Sequence, residues 1–215
     1  MKWRGTNPSV QRRVRIRYFP HWLSPLLDNP LRGLLISPRT LVERLALRPD
    51  ARVLELGAGS GFFSVTLARQ IPLGHLEVVD LQPRMLIKAR RKLERARLQN
   101  VHLTQADAGS LPFPEGSFDV AVLVTVLGEI PDPGQCLRSV WRVLRPGGVV
   151  AFHEHLPDPD LIKPEELRRR VEAQGFIFQR SYGRWWNYTA IFAKAGVANR
   201  TDERADQAHA EPFVW

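Results

Sequence analysis

The stretch VLELGAGSGFF, from Val53 to Phe63, sets Gly57, Gly59 and Gly61 into five positions directly behind an apolar run. Glycine removes Cβ and reaches dihedrals that other residues avoid, so this spacing lets a backbone close on a ligand. Carboxylates stand around the loop in a fixed order. Glu55 precedes it, Asp80 ends HLEVVD about 20 positions further on, and Asp107 follows VHLTQA. A carboxylate at position 80 can accept both hydroxyls of a ribose, and one at position 107 can accept from an exocyclic adenine amine. Singly, Glu55 reads equally well as an acid held by nearby amides and Asp107 as a loop or helix cap. As an ordered set they point to a nucleoside. The dinucleotide pattern Gly-x-Gly-x-x-Gly is not matched, because Phe62 follows Gly61. That disfavours a pyrophosphate, and with it a nicotinamide dehydrogenase.

The elements that must position these residues follow from periodicity. Ser37-Pro38 marks the start of a helix over about 38–47, by a capping hydroxyl and a proline at the first helical position. RVLEL reads as a strand, GFFSVTLARQ as a helix, HLEVVD as a strand, and QPRMLIKARRKLERARL as a helix with Leu86, Ala89, Leu93 and Ala96 on one stripe. Strands VHLTQA and FDVAVLVTV follow. Next come a helix opened by Asp132-Pro133, strand VVAFHEH, a helix around PEELRRRVEAQ, and strands FIFQRS and NYTAIFAKA. Apolar strands alternating with amphipathic helices demand a mostly parallel, doubly wound α/β sheet covered on both faces. The last two strands follow each other across Gly183 to Trp186, which predicts a hairpin and one antiparallel strand at or near the sheet edge.

Composition bounds the rest. The chain has 215 residues, 44% hydrophobic and 25% charged, which suits one globular domain with additions. The expected organisation is a basic, aromatic-rich appendage or lid over 1–36, one domain over 37–195, and a flexible tail over 196–215. No apolar run reaches the roughly 20 residues of a membrane-spanning helix. No secretory signal is visible, and the single Cys136 excludes an internal disulfide, so a cytoplasmic address is expected. The net charge of +9 is concentrated before Asp28 and between Arg84 and Arg97. Such patches attract phosphate-bearing partners, nucleic acid or anionic lipid, or are simply solvated faces.

Four motifs, VLELGAGSG, VVDLQPRML, QADAGSLPFPEGSFDVAV and VLRPGGVVAF, resemble in order and spacing those of class I S-adenosylmethionine-dependent methyltransferases. The resemblance runs over about residues 38–195 and is to the branch of ubiquinone and menaquinone biosynthesis. It implies a seven-stranded Rossmann-like sheet with an antiparallel last strand, and S-adenosylmethionine as cofactor. It further implies that Glu55, Gly57, Ala58, Gly59 and Gly61 flank the methionine part of that cofactor. Asp80 and Leu81 would lie at ribose and adenine, Asp107 and Ala108 at the adenine amine and ring, and Val124 beside the sulfonium. Arg145-Pro146-Gly147-Gly148 is a structural turn.

A methyl group on a sulfonium is electrophilic enough that alignment supplies much of the acceleration. No catalytic residue is assigned. Candidates for a base are Glu129, His153, Glu154 and His155, although relatives often carry histidine where this chain has Gly128 and Glu129. His153 and His155 read equally as hydrogen-bonded histidines at a strand end. The expected acceptor is a small molecule or lipid, roofed by Tyr18, Phe19, Trp22, Leu26 and Leu27 together with the turn from Tyr182 to Trp186. Those aromatics serve as an apolar lid, as a peripheral membrane contact, or as cover for the sheet edge. The alternatives are a nucleic-acid methyltransferase using the basic patches and a noncatalytic cofactor-binding protein. TVLGEIPDP lacks the Asn/Asp-Pro-Pro-aromatic signature of base-amine methylation. No metal site is read from the sequence.

Overall fold

The computed structural model describes residues 3–4 and 37–196. The aromatic stretch from Tyr18 to Leu27, the basic arm around it and the tail beyond Gly196 lie outside the described residues. Eight strands form one sheet: β1 (Trp3–Arg4), β2 (Arg52–Leu56), β3 (His75–Asp80), β4 (Val101–Gln105), β5 (Phe118–Val124), β6 (Leu144–His155), β7 (Phe176–Arg184) and β8 (Asn187–Lys194). Seven of them are the strands expected. The two-residue β1 adds a parallel edge beside β4.

Among the described residues five α-helices interleave: α1 (Pro38–Leu45), α2 (Ser64–Gln70), α3 (Pro83–Arg95), α4 (Pro133–Val143) and α5 (Pro164–Glu172). All but α2 begin with proline, whose missing N–H is not needed in a first turn. Asp132 caps α4 by accepting from the Gln135 N–H at 2.8 Å.

The strand order is β1-β4-β3-β2-β5-β6-β8-β7. Strands β2 to β6 run parallel, and β8 is antiparallel to both neighbours, β6 and β7. One face carries Val53, Val78 and Leu103 against Leu67, Leu86 and Leu93 of α2 and α3. The other carries Leu56, Val79 and Leu123 against Leu137, Val140 and Leu167 of α4 and α5. Both faces are therefore buried, which explains why the central strands read as unbroken apolar runs. Among the described residues no helix is long and apolar enough to cross a membrane.

Three boundaries differ from the expectation. Helix α2 begins at Ser64 rather than Gly61, because Gly61 sits at φ +78°, outside helical space. Strand β6 begins at Leu144; Arg145 to Gly148 loop out of the ladder, which pairs Phe118 with Leu144 and resumes with Val120 and Val149. The hairpin turn is tighter than expected. Strand β7 runs on to Arg184, and Trp185-Trp186 alone join it to β8.

From β2 the chain winds outward through β3 and β4, then returns across β2 to β5 and β6. The reversal leaves a crevice at the carboxyl ends of β2 and β5, where open α/β sheets bind ligands.

Candidate cofactor site

The loop after β2 is built from glycines with different jobs. A Cβ on Gly57 would stand 2.4 Å from Val126 Cγ2, and one on Gly61 would stand 2.9 Å from the Ala89 backbone of α3. Those two positions are bare so that neighbouring elements can approach. Gly59 is different. It holds φ +54°, yet nothing lies within 4 Å of where its Cβ would be. The space above this backbone is open to a ligand.

The Gly59 N–H donates to Asp80 Oδ2 at 2.9 Å, and the Gln82 N–H donates to Asp80 Oδ1 at 2.8 Å. Asp80 ends β3 and is 8% exposed. Burial raises its pKa and the two backbone bonds oppose the rise. Each carboxylate oxygen keeps a second lone pair, which suits vicinal hydroxyls. Glu55, inside β2, accepts from Ser64 Oγ at 2.5 Å. Burial pushes its pKa up to about 8, with the Ser64 bond opposing and Asp80 adding to the shift. Glu55 therefore carries a proton at neutral pH, and a cation beside it would favour its ionised form.

Register brings the remaining candidates to the same edge. Leu56 pairs with Val79 and Leu123, and Asp80 with Gln105. Leu81, half exposed, accepts at its carbonyl from Gln105 Nε2 at 3.1 Å. Asp107 is exposed and accepts the Gly109 N–H at 2.8 Å, so it caps its own turn; Ala58 and Ala108 are half-buried. Val124 ends β5, half-buried and paired with His153.

One contributor has no signature in the sequence. Thr125 sits at φ +50°, a region that β-branched residues avoid, and its N–H donates to the His153 carbonyl at 2.9 Å. This bend places Val126 against Gly57. Ser64, the partner of Glu55, was likewise unmarked, because only the fold of the turn brings it back onto β2.

The four base candidates divide between the two sheet faces. His153 and His155 share one face of β6, ring centroids 5.8 Å apart. His153 Nδ1 lies 2.9 Å from Thr189 Oγ1, which also accepts from Arg44 at 2.9 Å. His155 Nδ1 lies 2.9 Å from the Leu156 carbonyl. A carbonyl only accepts, so Nδ1 carries the proton and neutral His155 holds its basic lone pair on Nε2. Glu154 faces the other way, where it accepts the Ile162 N–H and burial drives its pKa up to about 8. Glu129 lies on a short 3-10 turn on that side and adds to the shift of Glu154. A cleft of 340 Å³ between Gly128, Asp160, Lys163 and Arg170 includes no residue of the glycine loop.

Comparison with known proteins agrees with this fold. Residues 53–148 match a methyltransferase domain family. A SAM-dependent methyltransferase from Aquifex aeolicus superposes with a TM-score of 0.78 at 21% identity, covering 83% of this chain and 100% of that one. The [4+2]-cyclase SpnF shares the fold at TM-score 0.70 and 18% identity, over 82% and 93% of the two chains. The fold and the domain match make the chain similar to class I S-adenosylmethionine-dependent methyltransferases.

In sequence it is similar to the ubiquinone/menaquinone biosynthesis C-methyltransferase UbiE of Vibrio campbellii. The two are 37% identical over 126 residues, which are 56% of this chain and 49% of the relative. It is also 37% identical to the demethylmenaquinone methyltransferase of Listeria welshimeri over 143 residues, 64% and 61% of the two chains. The chain thus spans about half to three fifths of the length of these relatives.

Proposed function

We propose that this chain binds S-adenosylmethionine across the carboxyl ends of β2, β3 and β4 and methylates a small lipophilic acceptor of the quinol kind. The observation that carries the reading is Gly59: a left-handed backbone with open space above it, tied directly to the buried Asp80 carboxylate. In this reading Asp80 receives the ribose hydroxyls, with Leu81 and Ala108 against the adenine and Asp107 at its amine. Glu55 with Gly57, Ala58 and Gly61 borders the methionine end, and Val124 forms the floor near the reacting carbon. The cofactor, when bound, supplies an electrophilic methyl group on a cationic sulfur.

The protein's own contribution is alignment and dryness. Gly59 permits close backbone approach, Asp80 fixes the nucleoside through two acceptor oxygens, and the sheet edge excludes water from one side. Relatives named for ubiquinone and menaquinone biosynthesis support the acceptor class. Exposed Leu156, Trp185 and Trp186 lie beyond the end of β6, on the same side of the sheet. We read them as a peripheral contact with the lipid surface from which such an acceptor is drawn.

SpnF shows that the fold alone does not set the reaction, so the test must read both ligand and product. Calorimetry should find S-adenosylmethionine binding that Asp80→Ala weakens sharply, with normal far-UV dichroism. Cell extract incubated with enzyme and isotopically labelled donor should yield a labelled small lipophilic product by mass spectrometry. Binding of NADH without any sulfonium ligand would overturn the reading. A labelled nucleic acid would replace the acceptor class.

A further inference from the structure

We propose that His75, Glu77 and His102 form a site for a divalent transition metal of the imidazole-favouring kind, zinc foremost. His75 and Glu77 are two apart on β3 and so share one face, and His102 on β4 stands directly opposite Glu77 in the ladder. One donor atom from each lies within 4.8 Å of the others, and among the described residues this is the group of three that does so. His75 Nε2 is 3.4 Å from Glu77 Oε2, and His102 Nδ1 is 3.9 Å from the same oxygen. Ligands about 2.0–2.1 Å from a tetrahedral zinc stand about 3.3–3.4 Å apart, so the His75–Glu77 pair already has that spacing and His102 has to move inward by about half an ångström or more.

The surroundings fit a ligand set. Glu77 is 6% exposed, and its Oε1 accepts from Thr104 Oγ1 at 2.6 Å, which turns Oε2 toward both imidazoles. The two rings are 31% and 38% exposed, so a solvent molecule can complete the coordination. Two nitrogens and one oxygen favour zinc, copper or nickel over calcium and magnesium, which take oxygen donors. The site lies near the amino ends of β3 and β4, about 10 Å (Glu77) to 16 Å (His75) along β3 from Asp80 at roughly 3.3 Å per residue. It is separate from the cofactor edge and pins together the two strands that carry Asp80 and Gln105.

Zinc titrated into the chelator-stripped full chain should show one saturable site by calorimetry. Cobalt(II) at that site should give the intense visible bands of a tetrahedral centre, and X-ray absorption on the zinc form should show two imidazoles and a carboxylate oxygen. A hundredfold excess of zinc over Kd should raise Tm by roughly 5–10 °C. His75→Ala and His102→Ala should abolish uptake, and Thr104→Val should weaken it roughly 10- to 100-fold. His153→Ala/His155→Ala should leave uptake intact. The proposal falls if no saturable uptake occurs, if His75→Ala and His102→Ala, folded by circular dichroism, keep wild-type affinity, or if uptake vanishes with the His153/His155 pair. Absorption without two imidazoles overturns it even where those variants fail to fold.

Discussion

Glu55 shows how burial sets the protonation of one residue of the proposed cofactor site. It is fully enclosed within β2, and burial holds its pKa near 8 against an ordinary value of 4.5. Between those values the folded state keeps a proton that the unfolded chain has released, so the folded state binds more protons and stability falls as pH rises. The stability is fully present below about pH 4.5 and is lost progressively up to about pH 8. Glu55→Gln keeps an oxygen for the Ser64 hydroxyl and removes the titration. Guanidinium unfolding should find the variant more stable than the parent at pH 8, by an amount on the order of a few kcal/mol, with the gap closing at pH 5. An equal gap at both pH values would mean that Glu55 is ionised in the fold. That a polar residue belongs in this strand has no apolar explanation, which is why Glu55 stood out in RVLEL. Its proton, by contrast, follows from the depth of the strand in the sheet, against the Ser64 bond that opposes it, and neither is written locally.

At the scale of elements, the turn between β2 and α2 separates packing from binding. Gly57 and Gly61 are bare because Val126 and α3 press on them, whereas Gly59 is bare toward open space. A side chain in the left-handed region costs about 1–2 kcal/mol. Gly57→Ala adds overpacking against Val126 and should lose about 3 kcal/mol, roughly 6–12 °C in Tm. Gly59→Ala should lose only about 1–2 kcal/mol yet weaken S-adenosylmethionine more than tenfold by calorimetry. Unchanged affinity in Gly59→Ala would put the ligand elsewhere. The alternation of strands and helices was legible because each apolar run has one period and prolines mark the helix starts at 38, 83, 133 and 164. The carboxylates at 55, 80 and 107 were legible because they sit at fixed distances from strand ends. Less could be read where two distant strands decide the outcome. The meeting of Glu77 with His102 follows from sheet register and the left-handed Thr125 from its tie to the next strand, which no single stretch of chain encodes, whereas the division of Glu154 from His153 and His155 is the ordinary alternation of a strand.

The described residues of the molecule gather the proposed site on one edge. Strands β2 to β6 end on the same side, and the antiparallel β8 returns the chain so that Asn187 pairs with His155, which sets the Trp185-Trp186 turn beside that edge. The Leu156 N–H donates to the Trp186 carbonyl at 2.8 Å, so the strand end and the hairpin turn form one surface. Trp185 is 57% exposed, Leu156 45% and Trp186 38%, with Arg184 also exposed beside them. Large apolar side chains beside a cation suit the boundary between lipid headgroups and acyl chains, and the net charge of +9 favours an anionic surface. The full chain should therefore co-sediment with vesicles containing anionic phospholipid, less so at high salt. Trp185→Ser/Trp186→Ser should lower the partition coefficient by roughly tenfold or more, as expected from losing about 1.4 kcal/mol or more of apolar burial. The same variant should bind S-adenosylmethionine as the parent does, because neither tryptophan belongs to the glycine loop or its carboxylates. Partition unaffected by the double substitution would leave the hairpin as a cover for the sheet end and move any lipid contact to the basic segments.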